Sequence, residues 1–168
     1  MNTLIKEADK FAEYHHGVIG QVRKYTGKPY IVHPRAVAKT VRDIYGTDEM
    51  IAAALLHDTV EDTDATIEHI LQEFGPLVCS YVAGLTDVAK PEDGNRATRM
   101  RINNLHTGAQ CAEVKTIKLA DILDNTLSIF KYDRKFAMVY FDEKRDLLPF
   151  LVEGNDILFN KLRYRLYN

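Results

Sequence analysis

Apolar residues recur at spacings of three and four along nearly the whole chain, while runs alternating at every second position are scarce. That periodicity predicts helices throughout and argues against a sheet. Leu4, Ala8, Phe11 and Ala12 define one face of a first helix that should end near Gly17. The following stretch, GVIGQVRKYTGKPYIVHP, is rich in Gly and Pro and reads as a loop with clustered basic residues. Pro34 is expected to open a second helix through Ala36, Val37, Thr40, Val41 and Ile44, with Gly46 as its stop. Asp48 is expected to cap a third helix, EMIAAALLHDTVED, which is apolar almost all round and should therefore be the buried centre.

Thr66 can cap a fourth helix, IEHILQEF, stopped at Gly75, and Pro76 restarts the chain into LVCSYVAGLTDVA. KPEDGN is a turn-rich break before the arginine-bearing RATRMRINNL. AEVKTIKLADILDNTLSIF and a long C-terminal helical region interrupted at Pro149 complete the chain. With no repeat, low-complexity tract or interdomain linker, the pattern predicts one all-α domain over residues 1–168.

Composition agrees with that expectation. A chain of 168 residues, 46% of them hydrophobic, is long enough to bury one proper core. A formal net charge of −2 gives no global reason to expect a nucleic-acid binder or a membrane-surface protein, so basic residues must act locally. Cys79 and Cys111 are far apart and lack metal-finger spacing, so both read as buried or half-buried thiols in a reducing compartment. No apolar run reaches the ~18 residues of a membrane helix, and the start, MNTLIKEADKF, carries acids and lacks a signal-peptide apolar stretch. A soluble, cytoplasmic protein is expected.

Candidate chemistry lies where polar residues interrupt apolar helices, because an unpaired buried charge is costly. His57 and Asp58 follow AAALL directly, and Asp121 sits inside VKTIKLADILDN. His33 immediately precedes Pro34, which biases it toward an extended conformation at a helix entry. Two imidazoles and two carboxylates would make a mixed nitrogen and oxygen site for one divalent ion with positions open to water. An ordinary buried polar network would use the same four residues. Ligand type does not separate Mn²⁺, Fe²⁺, Zn²⁺ and Mg²⁺. Glu61 and Asp62 stand four residues after His57 and Asp58, so a continuous helix would place them one turn further along the same face. Adjacent carboxylates near a cation can divide labour, one orienting water and one sharing a proton with the leaving group. If the helix instead ends at Asp58, the two become loop residues.

The motifs GKPYIVHP, ALLHDTVEDT, EFG, GLTDVAK and IKLADILDN, in this order and at these separations, closely resemble the hydrolase domain of RelA/SpoT-type alarmone enzymes. The likeness is greatest to the stand-alone small alarmone hydrolases, including the metazoan SpoT homologue, and spans roughly Ala8 to Leu151. It implies an HD-domain helical bundle in which His33, His57, Asp58 and Asp121 bind manganese. It also implies that Glu61 and Asp62 are the catalytic pair acting on the attacking water. The implied reaction removes the 3′-pyrophosphate of guanosine tetra- or pentaphosphate. Arg23 and Lys24 match the nucleotide-contacting loop, and Asn125, one helical turn after Asp121, matches the asparagine that contacts the nucleoside. Arg99 is a further candidate phosphate contact, with a solvated helix face as the alternative; Tyr140 is read as a core aromatic that could line the pocket.

Departures from the family pattern bear on specificity. Lys28 stands in GKPY where glutamate is common, which bears on which phosphates are preferred. ILDN replaces the basic and aromatic residues usual before the asparagine, which bears on base recognition rather than on metal binding. No synthetase region or regulatory tail is discernible, so the chain is not expected to make alarmones. The partner expected is a small phosphorylated nucleotide, with neither nucleic acid nor membrane. Two other functions are compatible with these residues: an NADPH 2′-phosphatase or other nucleotide phosphohydrolase on the same site, and a non-catalytic nucleotide-binding or antitoxin-like module. The intact Glu61 and Asp62 speak against the last.

Overall fold

A computed structural model describes residues 2–168 of the chain. Helices dominate as the periodicity demands, and no strand is present among the described residues; the one extended pairing is an isolated antiparallel bridge between Val22 and Pro29. The residues divide into two compact units, one ending at Thr86 and the other running Asp87–Asn168.

The first unit is built around α3 (Asp48–Leu56), against which α1 (Thr3–Val18), α2 (Val32–Asp43) and α5 (Ile67–Leu85) pack. Every residue from Met50 to Leu56 is buried, so the segment expected at the centre is there. Its cap differs from expectation: Thr47 takes the N-cap position and accepts from the Met50 amide, leaving Asp48 in the first turn, where its charge suits the helix dipole. On α1 the buried face is Ile5, Ala8, Ala12 and His16, one helical stripe that carries a histidine as its last member. Leu4 and Phe11 are only half-buried.

α2 ends in a way the sequence disguises. The Gly46 amide donates to the Val41 carbonyl and the Tyr45 amide to the Arg42 carbonyl, the paired bonds of a Schellman turn. The left-handed position belongs to Tyr45 (φ 61°), not to the glycine. Gly46 is required for a different reason, since a Cβ there would meet Val41 at 2.5 Å. In α5, capped by Thr66, the expected break appears at Gly75, whose φ of 80° and ψ of 174° kink the helix ahead of Pro76.

The second unit comprises α6 (Arg96–Gly108), α7 (Ala112–Tyr132), α8 (Arg134–Leu147) and α9 (Asp156–Tyr167), with short 3₁₀ turns at Pro91–Asp93 and Leu148–Leu151. The second turn contains Pro149, the expected interruption. α7 contacts the other three helices and buries Val114, Ile117, Leu119, Ala120 and Ile122. Buried polar groups on α7 have partners: Lys115 pairs with Glu153, and Thr116 Oγ1 accepts from the Asn155 amide at 2.9 Å. Cys79 is buried as expected, but Cys111 is exposed because it precedes α7 at the N-cap position.

Candidate metal centre

α3 does not continue through HDTVED. It stops at Leu56, His57 forms its C-terminal cap, and Asp58 (φ −96°, ψ −6°) leads into a separate short helix, α4 (Thr59–Asp62). Side chains take over backbone acceptors at this junction: His57 Nδ1 bonds to the Ala54 carbonyl at 2.9 Å, and Thr59 Oγ1 donates to the Leu56 carbonyl at 2.7 Å. The expectation of one continuous helix over 49–62 is corrected accordingly. Glu61 and Asp62 do not become loop residues either, because the Asp62 amide donates to the Asp58 carbonyl at 3.0 Å within the new turn. His33 is also helical rather than extended. It lies in the first turn of α2, its amide bonded to the Tyr30 carbonyl, with Pro34 one position later, where a helix makes no demand for an N–H.

These two helix ends bring three candidate ligands together. His57 Nε2 lies 3.1 Å and His33 Nε2 3.6 Å from the same oxygen, Asp58 Oδ2. The imidazole centroids are 5.2 Å apart, and one donor atom from each of the three residues falls within 4.8 Å of the others. Both histidines are almost wholly buried, at 1% and 2% exposure. The Ala54 carbonyl can only accept, so His57 Nδ1 carries the hydrogen, and the neutral ring presents a lone pair at Nε2. Lone pairs of imidazole and carboxylate at this separation repel unless a proton or a cation lies between them. Two buried imidazole nitrogens and one carboxylate form a donor set that fits a divalent ion. Tyr30 completes the local arrangement by donating its hydroxyl to Asp58 Oδ2 at 2.6 Å, as a metal-ligating carboxylate commonly requires.

The basic loop before α2 is ordered. The Arg23 amide donates to the Lys28 carbonyl at 2.8 Å, and the Tyr30 amide to the Gln21 carbonyl at 3.0 Å, so the loop folds as a small hairpin. Arg23 lies over the Tyr30 ring at 5.7 Å and Lys24 over Tyr25 at 5.1 Å. On α4, Glu61 and Asp62 are exposed, and Asp62 Oδ2 accepts from Gln21 Nε2 at 2.8 Å.

Sequence reasoning did not single out Tyr30, Gln21 or His16. His16 Nδ1 bonds to Gln21 Oε1 at 2.6 Å, and its ring lies 4.8 Å from that of Tyr30. Burial holds its imidazolium below the ordinary histidine value, while the Gln21 bond and the Asp58 and Asp62 carboxylates pull the other way. The detectable signal was its place at the end of the Ala8–Ala12 stripe.

In the second unit, Asp121 is buried on α7, Asn125 Nδ2 donates to its Oδ1 at 2.7 Å, and Lys118 Nζ lies 3.4 Å from its Oδ2. The one-turn relation expected between Asp121 and Asn125 is thus present as a hydrogen bond. Burial, with Lys118 adding, pushes the Lys144 ammonium below its usual value, and Asp121 opposes the shift. Arg99 donates to the Gly94 carbonyl at 2.7 Å and so braces the turn before α6. Tyr140 is half-buried, with the Lys144 ammonium 5.0 Å from its ring.

The family described as HD domain matches residues 8–137. A guanosine-3′,5′-bis(diphosphate) 3′-pyrophosphohydrolase of Aquifex aeolicus is 37% identical over 133 residues, 78% of this chain and 19% of that protein. A probable enzyme of the same description from Synechocystis is 42% identical over 109 residues, covering 62% of this chain and 14% of that one. The chain thus spans less than a fifth of these relatives. Among solved structures, a metazoan ortholog of SpoT described as hydrolysing ppGpp superposes with a TM-score of 0.87 at 28% identity, covering 98% of this chain and 94% of its own. A Listeria monocytogenes protein matches with a TM-score of 0.65 at 26% identity, over 85% and 96% of the two chains.

Proposed function

Because the chain belongs to the HD-domain family, we propose that it is a divalent-metal-dependent phosphohydrolase that removes the 3′-pyrophosphate of guanosine tetra- or pentaphosphate, giving GDP or GTP. The observation that carries this reading is the convergence of His33, His57 and Asp58 on one point, with the His57 tautomer fixed for metal binding. The likeness to a ppGpp-hydrolysing SpoT ortholog over nearly the full length of both chains supports the substrate.

His33, His57 and Asp58 hold the ion, and Asp121 is assigned as the fourth ligand on the KLAD motif. Manganese is the ion we assign, on the mixed donor set and the resemblance. When bound, the ion supplies Lewis acidity and lowers the pKa of water. The surrounding residues do the rest. Asp62, steadied by Gln21, and Glu61 beside it orient the attacking water and move its proton. Attack on phosphorus breaks its bond to the ribose 3′-oxygen, which leaves as a hydroxyl after taking a proton. Arg23 and Lys24 neutralise the phosphates, Asn125 contacts the nucleoside, and Arg99 is a further phosphate contact.

The family match runs on both sides of the Thr86–Asp87 boundary, which supports residues 1–168 acting as one HD-type domain. No helix among the described residues is long and apolar enough to cross a membrane; the compartment proposed is the cytoplasm. The test is parallel incubation of the purified protein and Mn²⁺ with ppGpp, pppGpp, NADPH and deoxynucleoside triphosphates, with the products resolved. Pyrophosphate with GDP or GTP is expected. Free phosphate from NADPH alone, or no turnover of any substrate, overturns the assignment.

A further inference from the structure

Gln21 sits between two side chains that together determine which way round its amide must lie. Its Nε2 faces Asp62 Oδ2 at 2.8 Å and its Oε1 faces His16 Nδ1 at 2.6 Å. Turning the amide over would set its oxygen against the Asp62 carboxylate, two acceptors at hydrogen-bond distance, so the orientation is chemically fixed. Gln21 Oε1 can only accept. His16 Nδ1 therefore carries a hydrogen, the tautomer that neutral histidine disfavours in water, and Nε2 is left as a bare lone pair. That Nε2 is wholly buried, has no hydrogen-bond partner among the described residues, and belongs to a side chain only 1% exposed. A buried acceptor in that condition calls for a donor supplied by a bound molecule. The surroundings are those of the metal centre: the Tyr30 ring lies 4.8 Å away, and Asp58, Asp62 and His57 are the charged and titratable neighbours.

We propose that His16 is a positioning residue of this site: its Nδ1–H locks Gln21 so that Gln21 holds Asp62, and its Nε2 accepts from an ordered water. The role assigned to Asp62 rests on the hydrolase reading above; the tautomer and the water do not. Neither Glu61 nor any metal ligand touches Gln21 through the bonds that define this chain of contacts, so its effect is to hold a proton-handling carboxylate and not to build the ion site.

The first measurement is made on the unmodified protein. Nitrogen-15 spectra of the histidine side chains are expected to include, besides the His57 ring that the Ala54 carbonyl holds in the same tautomer, a second neutral buried ring with a protonated Nδ1 and a non-protonated Nε2. This second ring is lost in His16→Asn. A spectrum showing His16 protonated at Nε2 overturns the proposal, whatever the activity turns out to be. The second measurement uses kinetics and bound metal. His16→Leu is expected to lower kcat about tenfold, the equivalent of one lost hydrogen bond in the transition state, with KM and metal content unchanged. Asn places an amide N–H where Nδ1–H stood, so His16→Asn is expected to restore most of that loss. Gln21→Glu, which opposes two carboxylates, should lower kcat at least as far. Equal losses in His16→Leu and His16→Asn, or loss of metal in either, overturn the positioning role. Absence of ppGpp hydrolysis by the unmodified protein removes the hydrolase reading while leaving the tautomer result to stand or fall by itself.

Discussion

Tyr30 donates its hydroxyl to Asp58 Oδ2 at 2.6 Å, the same oxygen that His57 Nε2 approaches at 3.1 Å and His33 Nε2 at 3.6 Å. A tyrosine in the loop before α2 thus fixes the rotamer of a residue at the junction of α3 and α4, and it does so with a charge-assisted bond. Tyr30→Phe keeps the ring but removes that donor. Divalent-ion affinity should fall about 10- to 100-fold, the usual consequence of removing an outer-sphere partner, while the helical content stays the same. Titration calorimetry with Mn²⁺ reads this directly, and unchanged affinity would show that Asp58 needs no help.

The three-residue cluster and the acid pair should separate under mutation. Asp58→Ala is expected to lose bound metal and turnover together, because it deletes the oxygen that both imidazoles face. Glu61→Ala, exposed on α4, is expected to keep its metal and lose turnover. Metal analysis beside steady-state kinetics distinguishes the two, and retained turnover in Glu61→Ala takes that residue out of the mechanism.

Asp121→Asn tests the ligand assigned from sequence motif. The substitution preserves an acceptor for Asn125 but removes the charge that Lys118 faces at 3.4 Å. Weaker Mn²⁺ binding with an intact fold is the expected result. Affinity equal to that of the unmodified protein would remove Asp121 from the ligand set.

Histidine burial gives the stability a pH dependence of definite sign. His16 titrates below 6.5 in the folded protein, chiefly through burial, and near 6.5 when unfolded. As pH falls below 6.5 the unfolded chain takes up the proton first, so stability declines from there down to the lowered folded value and then levels off. Urea midpoints at pH 7.5 and about 5.5 should therefore drop further in the unmodified protein than in His16→Gln. An equal drop in both would place the sensitivity elsewhere.

The C-terminal turn of α2 predicts a gain. Tyr45 is 97% exposed and sits at φ 61°, where an L side chain is strained. Tyr45→Gly relieves about 1 kcal/mol of that strain, partly offset by the greater freedom of glycine in the unfolded chain. A small rise in the thermal midpoint follows, and a fall would mean that the Tyr45 ring holds something the turn does not reveal.

Much of this was legible in the residues. The three-and-four periodicity gave an all-α chain, the apolar run before His57 gave the buried helix, and Gly75 and Pro149 marked real interruptions. His57 and Asp58 stood out as polar residues placed where burial penalises them, and His33 by its place before Pro34 and in the motif YIVHP; the three lie together. What escaped the pattern was decided by single hydrogen bonds. Periodicity cannot show that His57 and Thr59 would cap the carbonyls of Ala54 and Leu56 and split one helix into two. Proximity to proline suggested an extended His33, but the first turn of a helix tolerates proline, and α2 begins two residues earlier. Tyr30, Gln21 and His16 lie in or beside a stretch read as a basic loop, where the partners of each side chain are set by tertiary folding.

Among its contacts, the Tyr30 side chain carries the Arg23 guanidinium over its ring face and reaches Asp58 with its hydroxyl. A molecule gripping the hairpin and an ion held between the histidines therefore pull on one rigid lever from opposite ends. Thermodynamic reciprocity then requires that whatever factor cation loading lends to occupancy of the hairpin, occupancy returns to the cation. A tyrosine that carries no chemistry of its own would thus make the two loading events report on each other.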